Sequence, residues 1–203
     1  MKNLIQFIAV LVGILFLSHA VAAEKKVVVP PNPVKKLMNV VTVSVKGGDF
    51  TDPVAAVNSI TDAAAENPHL VMIDPGVYTL TGTLVMKPFV TVAGSGRDGT
   101  TLTGAISTAA YDASSALVSG ADNATLRDIT IENTGGGAIS IALYNNGSSP
   151  IIQNVKATAS GGTYSYGVYN SSSSPIMIDV AASASGKAYS YDVFNSSSPI
   201  MTE

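Results

Sequence analysis

The sequence predicts an all-β protein wound as a right-handed, single-stranded parallel β-helix with an N-terminal capping helix, and three observations predict it. A repeat of about 25 residues runs through the C-terminal half. The segments inside each repeat are short and alternate apolar with polar residues. The composition is rich in Ser, Thr, Asn and Gly, yet only 12% of residues are charged, while 46% are hydrophobic. That balance suits a polar but weakly charged β-protein.

Residues 1–23 read as a secretory signal. Lys2 supplies the positive start, Leu4 to Leu17 form an apolar run interrupted early by Gln6, and Val21 and Ala23 suit cleavage before Glu24. The apolar run is shorter than the ~20 residues a spanning helix needs, so no stable membrane span is expected once the signal is cleaved. The mature chain is expected to be secreted, periplasmic or held at the cell surface. Residues 24–40, with Pro30, Pro31, Pro33 and several lysines, form a stiff linker. The β-helix domain is expected over 41–203.

Alternation begins at Val41, Val43 and Val45, which predicts the first strand. A helix over about 53–65 follows. Thr51 or Asp52 caps it, Pro53 suits its first turn, and Val54, Val57, Ile60 and Ala64 share one face. Placed before the first coil, it covers an end that otherwise exposes apolar core and strand edges. Short strands come next at Leu70–Ile73, Leu84–Met86, Val90–Val92, Thr101–Thr103 and Ala116–Val118.

The repeat itself is explicit from about residue 126. Ser-Ser-Pro ends at Pro150, Pro175 and Pro199, and Asn145, Asn170 and Asn195 recur at intervals of 25. Leu143, Val168 and Val193 precede those asparagines by two positions, and Ile141, Tyr166 and Tyr191 precede them by four. A second strand repeats as Leu126/Ile152/Met177 and Ile129/Val155/Val180. About 30 residues are needed for a strand–helix–strand unit, and the spacers here are Ser, Gly and Ala rather than helix formers. One repeat is therefore one solenoid coil, about 4.8 Å from the next, with equivalent residues stacked. Asn145, Asn170 and Asn195 then form a structural ladder at a bend, where stacked amides bond from coil to coil. That reading competes with the sequons at Asn146, Asn170 and Asn195.

Several segments together resemble the N-terminal half of the pectin methylesterases, a family with the pectin-lyase type of β-helix. They are VTVSVKGGDFTDPVAAVNSI, IDPGVYTL, VTVAGSGRDGTTLTG and ALVSGADNATLRDITIENTGGG, spanning Val41 to Gly137. The resemblance implies an acyl transfer in which one aspartate attacks an ester carbonyl, a second acts as acid and base, glutamines hold the oxyanion and a late arginine orients the nucleophile. Ile139 stands where the first of those glutamines belongs, and the only glutamines are Gln6 and Gln153. The only arginines are Arg97 and Arg127. Asp192, in Tyr-Asp-Val-Phe, is similar to the nucleophile motif but is also the repeat partner of Gly167. No catalytic residue is therefore assigned.

Other chemistry is bounded in the same way. With no cysteine, thiolate nucleophiles, thiolate metal sites, disulfides and lipidation are all excluded. The net charge is −3, and removing Lys2 makes it more negative, so nucleic acid is not an expected partner. Asp128, Asn154 and Asp179 hold equivalent positions and stack into an oxygen-rich row. Calcium takes about six to eight oxygens, more than three side chains supply, so the row reads as a polar ladder. Calcium is the one cofactor left open, and no metal ligand is assigned.

Tyr144, Tyr169 and Phe194 recur at intervals of 25 with parity opposite to Leu143, Val168 and Val193. Strict alternation makes them an exposed aromatic column, with Ser140, Ser165 and Ser190 on the same outward face. Such a column suits sugar rings, or rings that simply stabilise one another coil to coil. Two functions stand: a non-catalytic exported protein presenting a repetitive surface to polysaccharide or protein, and a carbohydrate-active esterase or lyase with an unrecognised site. Self-association through the edge of the last coil is also expected.

Overall fold

A computed structural model describes residues 39–203. The signal segment and all but the last two residues of the linker lie outside the described residues. The first strand, β1 (Asn39–Val43), begins slightly before the expected position. The helix α1 (Pro53–Ser59) follows, and then β2 (His69–Ile73), β3 (Gly76–Thr79), β4 (Leu84–Val85), β5 (Val90–Ala93), β6 (Thr100–Gly104) and β7 (Ala116–Ser119). The longer strands are β8 (Thr125–Asn133), β9 (Ile139–Asn146), β10 (Ile151–Ser160), β11 (Tyr164–Ser171) and β12 (Ile176–Ser185), and the chain closes with β13 (Tyr189–Asn195) and β14 (Ile200–Thr202).

Every ladder between these strands is parallel. One sheet runs β1-β2-β5-β8-β10-β12-β14, with β3 and β6 joined beside β8. The other runs β13-β11-β9-β7-β4. Successive neighbours are a coil apart in sequence, which is the right-handed parallel β-helix expected from the repeat. Asn170 pairs with Asn145 on one side and Asn195 on the other, and Ile152 pairs with Leu126 and Met177. The 25-residue period is thus one physical coil.

The long strands are bent by a shared device. The ladders among β8, β10 and β12 pass over Asp128, Asn154 and Asp179, whose φ angles are 57°, 52° and 51°. Left-handed backbone is costly for most L-residues and least so for Asn and Asp, whose short side chains bond locally. In the preceding coil the same corner falls between β5 and β6 at Gly94, where a Cβ would collide with the Asp128 carbonyl. Glycine is the residue that fits there.

The core lies between the sheets as stacked columns. Leu126, Ile152 and Met177 form one, and Leu143 and Val168 head another, all essentially without solvent exposure. Each such side chain contributes about 1.5–3 kcal/mol by leaving water. Helix α1 closes the N-terminal end by burying Ala56 and Val57 in this core. Its N-terminus is capped by Asp52, which accepts from the Val54 amide at 2.9 Å. It is shorter than the expected 53–65, because Ile60 is already extended (ψ 118°) and Lys87 Nζ donates to the Asn58 and Ile60 carbonyls, satisfying the helix end. Ala64 joins a tight turn with Asn67 instead.

Candidate functional site: the outer face of the second sheet

The strands β9, β11 and β13 superpose row by row: Ile139/Tyr164/Tyr189, Ile141/Tyr166/Tyr191, Leu143/Val168/Val193 and Tyr144/Tyr169/Phe194. Between the second and third of these rows the ladder passes over Ala142, Gly167 and Asp192. Ala142 and Leu143, though adjacent, both belong to the inner core. This is a β-bulge, and one unpaired residue reverses the parity of everything before it. Leu117 and Val118 are consecutive core residues in β7 as well, so the bulge is stacked through the sheet.

The bulge corrects the sequence-based expectation. Ser140 and Ser165 are fully buried rather than outward. Ile139, Ile141 and Tyr166 face out and form a second apolar cluster with Tyr144, separate from the inner core. The column Tyr144/Tyr169/Phe194 is outward as expected but is not exposed throughout: Tyr144 is only 6% exposed, and Tyr169 and Phe194 are half-buried. Neighbouring columns of rings, which strict alternation hides in the interior, and a covering loop account for the difference.

That loop, between β6 and β7, lays Tyr111 across the face. Tyr111 meets Tyr164 and Tyr166 edge to face, with ring centroids 6.1 and 5.9 Å apart, and lies stacked beside Tyr169 at 6.1 Å. The Tyr144 hydroxyl donates to the Tyr111 carbonyl at 3.2 Å. Asn133 anchors the same loop by accepting from the Ile106 amide and donating to its carbonyl. Asp112 accepts from the Ser114 amide and hydroxyl, which holds its carboxyl below the usual range. Burial pushes the Tyr144, Tyr166 and Tyr169 hydroxyls above the ordinary phenol value, Tyr166 furthest, with Tyr111 adding to it. Nothing periodic in residues 105–115 marks this loop, so repeat reasoning missed Tyr111.

From coil to coil the rings stack nearly parallel. Tyr164 and Tyr189 are 4.9 Å apart at 7°, Tyr166 and Tyr191 5.1 Å at 6°, and Tyr169 and Phe194 4.7 Å at 21°. Stacking engages the ring faces that meet between coils. Tyr189 and Tyr191, on the end strand of this sheet, are 52% and 41% exposed, and the ring contacts of Tyr111 stop at the coil before them. Repeat reasoning includes Tyr166/Tyr191 but misses Tyr164/Tyr189, which shares its 25-residue spacing, and Gly167 inside an aromatic strand is the signal that betrays the bulge.

Two polar ladders flank this face and the bends. Asn145 Nδ2 donates to Asn170 Oδ1 at 2.8 Å, and Asn170 Nδ2 to Asn195 Oδ1 at 2.7 Å, all from inward positions. Asn170 is fully buried, whereas the sequon residue Asn146 is exposed. At the other bend Asn154 Nδ2 donates to Asp128 Oδ1 at 2.8 Å. Arg127 pairs with Asp128 at 2.6 Å and Arg97 with Asp179 at 2.7 Å. The carboxylates of this row are thus engaged by guanidinium groups and an amide.

The pectin methylesterase from carrot superposes with a TM-score of 0.55 at 20% identity, over 73% of this chain and 53% of that one. The fold is that of the pectin methylesterases. The pectin methylesterase PemA from Erwinia chrysanthemi gives a TM-score of 0.48 at 15% identity, over 69% of this chain and 54% of that one. A pectin methylesterase in complex with a hexasaccharide gives 0.49 at 15%, over 79% and 67%. This chain spans a little over half the length of the carrot and Erwinia structures. No protein-family model and no curated protein matches it.

Against this pectin methylesterase-type fold, Ile139 is an outward residue at the edge of the aromatic cluster, only 2% exposed. Asp192 sits at the bulge, where its carboxylate accepts from the Ala184 amide at 2.8 Å and closes the turn between β12 and β13. Arg97 and Arg127 are committed to the acids of the other sheet's bend. His69 is buried at the start of β2 beside Asp62, with which its Nε2 pairs at 3.0 Å.

Proposed function

We propose that this is an exported, non-catalytic β-helix protein that holds a polysaccharide on the outer aromatic face of its second sheet. The observation that carries the reading is the set of outward aromatic columns stacked in register through β9, β11 and β13, on a face that shares its sheet with Ile139. Ile139 stands where the resemblance to pectin methylesterases places an oxyanion glutamine. Hydrocarbon in place of a donor removes about 10²–10³ in rate per donor lost, while an aromatic surface keeps affinity for a sugar chain. Each outward tyrosine edge offers an apolar body and a hydroxyl that both donates and accepts, matching the alternating CH and OH of a sugar ring. The rings of β13 pair in register with the coil that Tyr111 covers but make no ring contact with Tyr111 themselves, so they present this chemistry side by side. Export rests on the signal-like residues 1–23, and the turned-in Asp192 supports the absence of catalysis.

Affinity electrophoresis of the mature protein through polysaccharide gels tests the proposal. Retardation by at least one polymer is expected, and Tyr191→Ala is expected to weaken it about tenfold or more, roughly 1.4 kcal/mol. Free mobility in every gel, or an unaffected Tyr191→Ala variant, rejects the binding surface. Methanol release from pectin, or unsaturated product from polygalacturonate with or without calcium, would instead establish an enzyme.

A further inference from the structure

We infer that the polysaccharide is an uncharged one, seated against Tyr189, Tyr191 and Phe194, with Tyr111 closing the near end of its site. The inference rests on the reading of the aromatic face as a glycan-binding surface and adds the chemical class and the position of the ligand.

Position follows from an interface that the chain already makes with itself. Tyr111 lies against three rings of one coil, Tyr164, Tyr166 and Tyr169, two of them edge to face and one stacked. One coil further on, Tyr189, Tyr191 and Phe194 pair in register with those three. Their ring planes follow the first set within 7°, 6° and 21°. The surface that receives Tyr111 therefore continues, in nearly the same shape, into the coil where the tyrosines are half-exposed. A pyranose ring has a planar apolar face comparable to that of a phenol ring and fits beside Tyr111 on this continuation. Because Tyr111 is fixed by the Tyr144 hydroxyl and by Asn133 through Ile106, it acts as a wall at which a bound chain must end or turn.

Charge decides the class. The outward residues of β9, β11 and β13 carry none: the one ionisable acid or base in these strands is Asp192, turned onto the Ala184 amide. Beside the face stand Asp112, in the loop that bears Tyr111, and Lys187, exposed in the turn before β13. Asp112 directly follows Tyr111 in that loop, so a carboxylate accompanies the wall of the site. The two guanidinium groups, Arg97 and Arg127, are paired with acids on the other sheet. A polyuronate brings one negative charge per residue and needs a row of cations to offset it. One lysine against two aspartates, on a chain of net charge −3, does not supply that row. An uncharged glycan meets no such penalty and uses the tyrosine hydroxyls directly.

The test measures binding of the mature chain to four soluble polymers: hydroxyethylcellulose, mixed-linkage glucan, galactomannan and polygalacturonate. Titrations run at about 0.05 M and about 0.5 M NaCl, which spans weak and strong screening. Binding to at least one neutral polymer is expected, changed less than about twofold by salt, with polygalacturonate weaker by about tenfold or more. Tyr111→Ala is expected to raise the oligosaccharide length at which affinity levels off, since the wall is gone. Preferential binding of polygalacturonate that disappears in high salt overturns the assignment while leaving a glycan-binding face intact. An unchanged length dependence in Tyr111→Ala overturns the position. Binding to none of the four polymers overturns this inference, whereas retention of none in the wider gel panel also removes the reading beneath it.

Discussion

Asn170 holds two coils at once, because its amide accepts from Asn145 at 2.8 Å and donates to Asn195 at 2.7 Å in a fully buried site. Replacing it with alanine leaves a donor on one neighbour and an acceptor on the other without partners. The donor orphaned on buried Asn145 costs about 1–3 kcal/mol while the acceptor on exposed Asn195 turns to water, so Asn170→Ala should lower stability by roughly 1–3 kcal/mol. Asn195 lies at the exposed end of the ladder, where water replaces the lost partner, and Asn195→Ala should cost about 1 kcal/mol or less. Denaturant midpoints at constant m-value measure both. Equal, small effects would show that the amide stack adds nothing. The ladder's other end explains Gly120, which lies below Asn145, since a Cβ there would collide with Asn145 Oδ1. That oxygen is left without a partner among the described residues, so the amide stack begins at Asn145.

At the scale of the element, what the sequence reveals is what repeats. Leu126/Ile152/Met177 and the three asparagines are legible because stacking forces the same residue type at the same place in each coil. The bend residues Asp128, Asn154 and Asp179 are legible as a row, although their left-handed φ is visible only in the structure. Three features escape a period-two reading. The bulge at Ala142/Gly167/Asp192 adds one residue and inverts the parity of the tyrosines before it. Strand β3 hides in PGVY, where Gly76 at φ 155° resembles a turn while Tyr78 points inward to donate to the Asp74 carbonyl. The Tyr111 loop occurs once, so no comparison between coils exposes it. Its contacts have a measurable consequence at high pH. Burial raises the Tyr144, Tyr166 and Tyr169 hydroxyls above their ordinary value of 10.0. The unfolded chain then loses these protons first, and a native state that binds more protons than the unfolded one loses stability as pH rises. The contribution of these tyrosines should be flat below about pH 10 and fall above it, and Tyr166→Phe should make that fall shallower. Denaturant titrations alongside phenolate absorbance give the answer. Folded-state ionisation of all the tyrosines at the ordinary phenol value would contradict the buried cluster.

For the molecule as a whole, each coil touches mainly the coils before and after it, so stability is set by nearest-neighbour interfaces. Burial is uneven along the axis. In β9 every residue but Asn146 is buried, in β11 Ser165 to Val168 and Asn170 are buried and the rest partly so, and in β13 no residue is fully buried. The first sheet follows the same course from β8 through β10 and β12, with β14 exposed throughout. Local opening costs least where few apolar contacts must be broken. Hydrogen exchange should therefore be slowest in β8, β9 and β10 and become progressively faster through β11 and β12 to β13 and β14. This gradient runs directly beneath the aromatic face, whose exposed rings Tyr189 and Tyr191 sit on the least protected coil. A glycan laid across Tyr189, Tyr191 and Phe194 ties that coil to the Tyr111 loop, so saturating ligand should slow exchange in β13 more than in β9. Uniform exchange across β9, β11 and β13 would mean that the solenoid opens as one cooperative unit, and a ligand that protects β9 first would place the binding surface elsewhere.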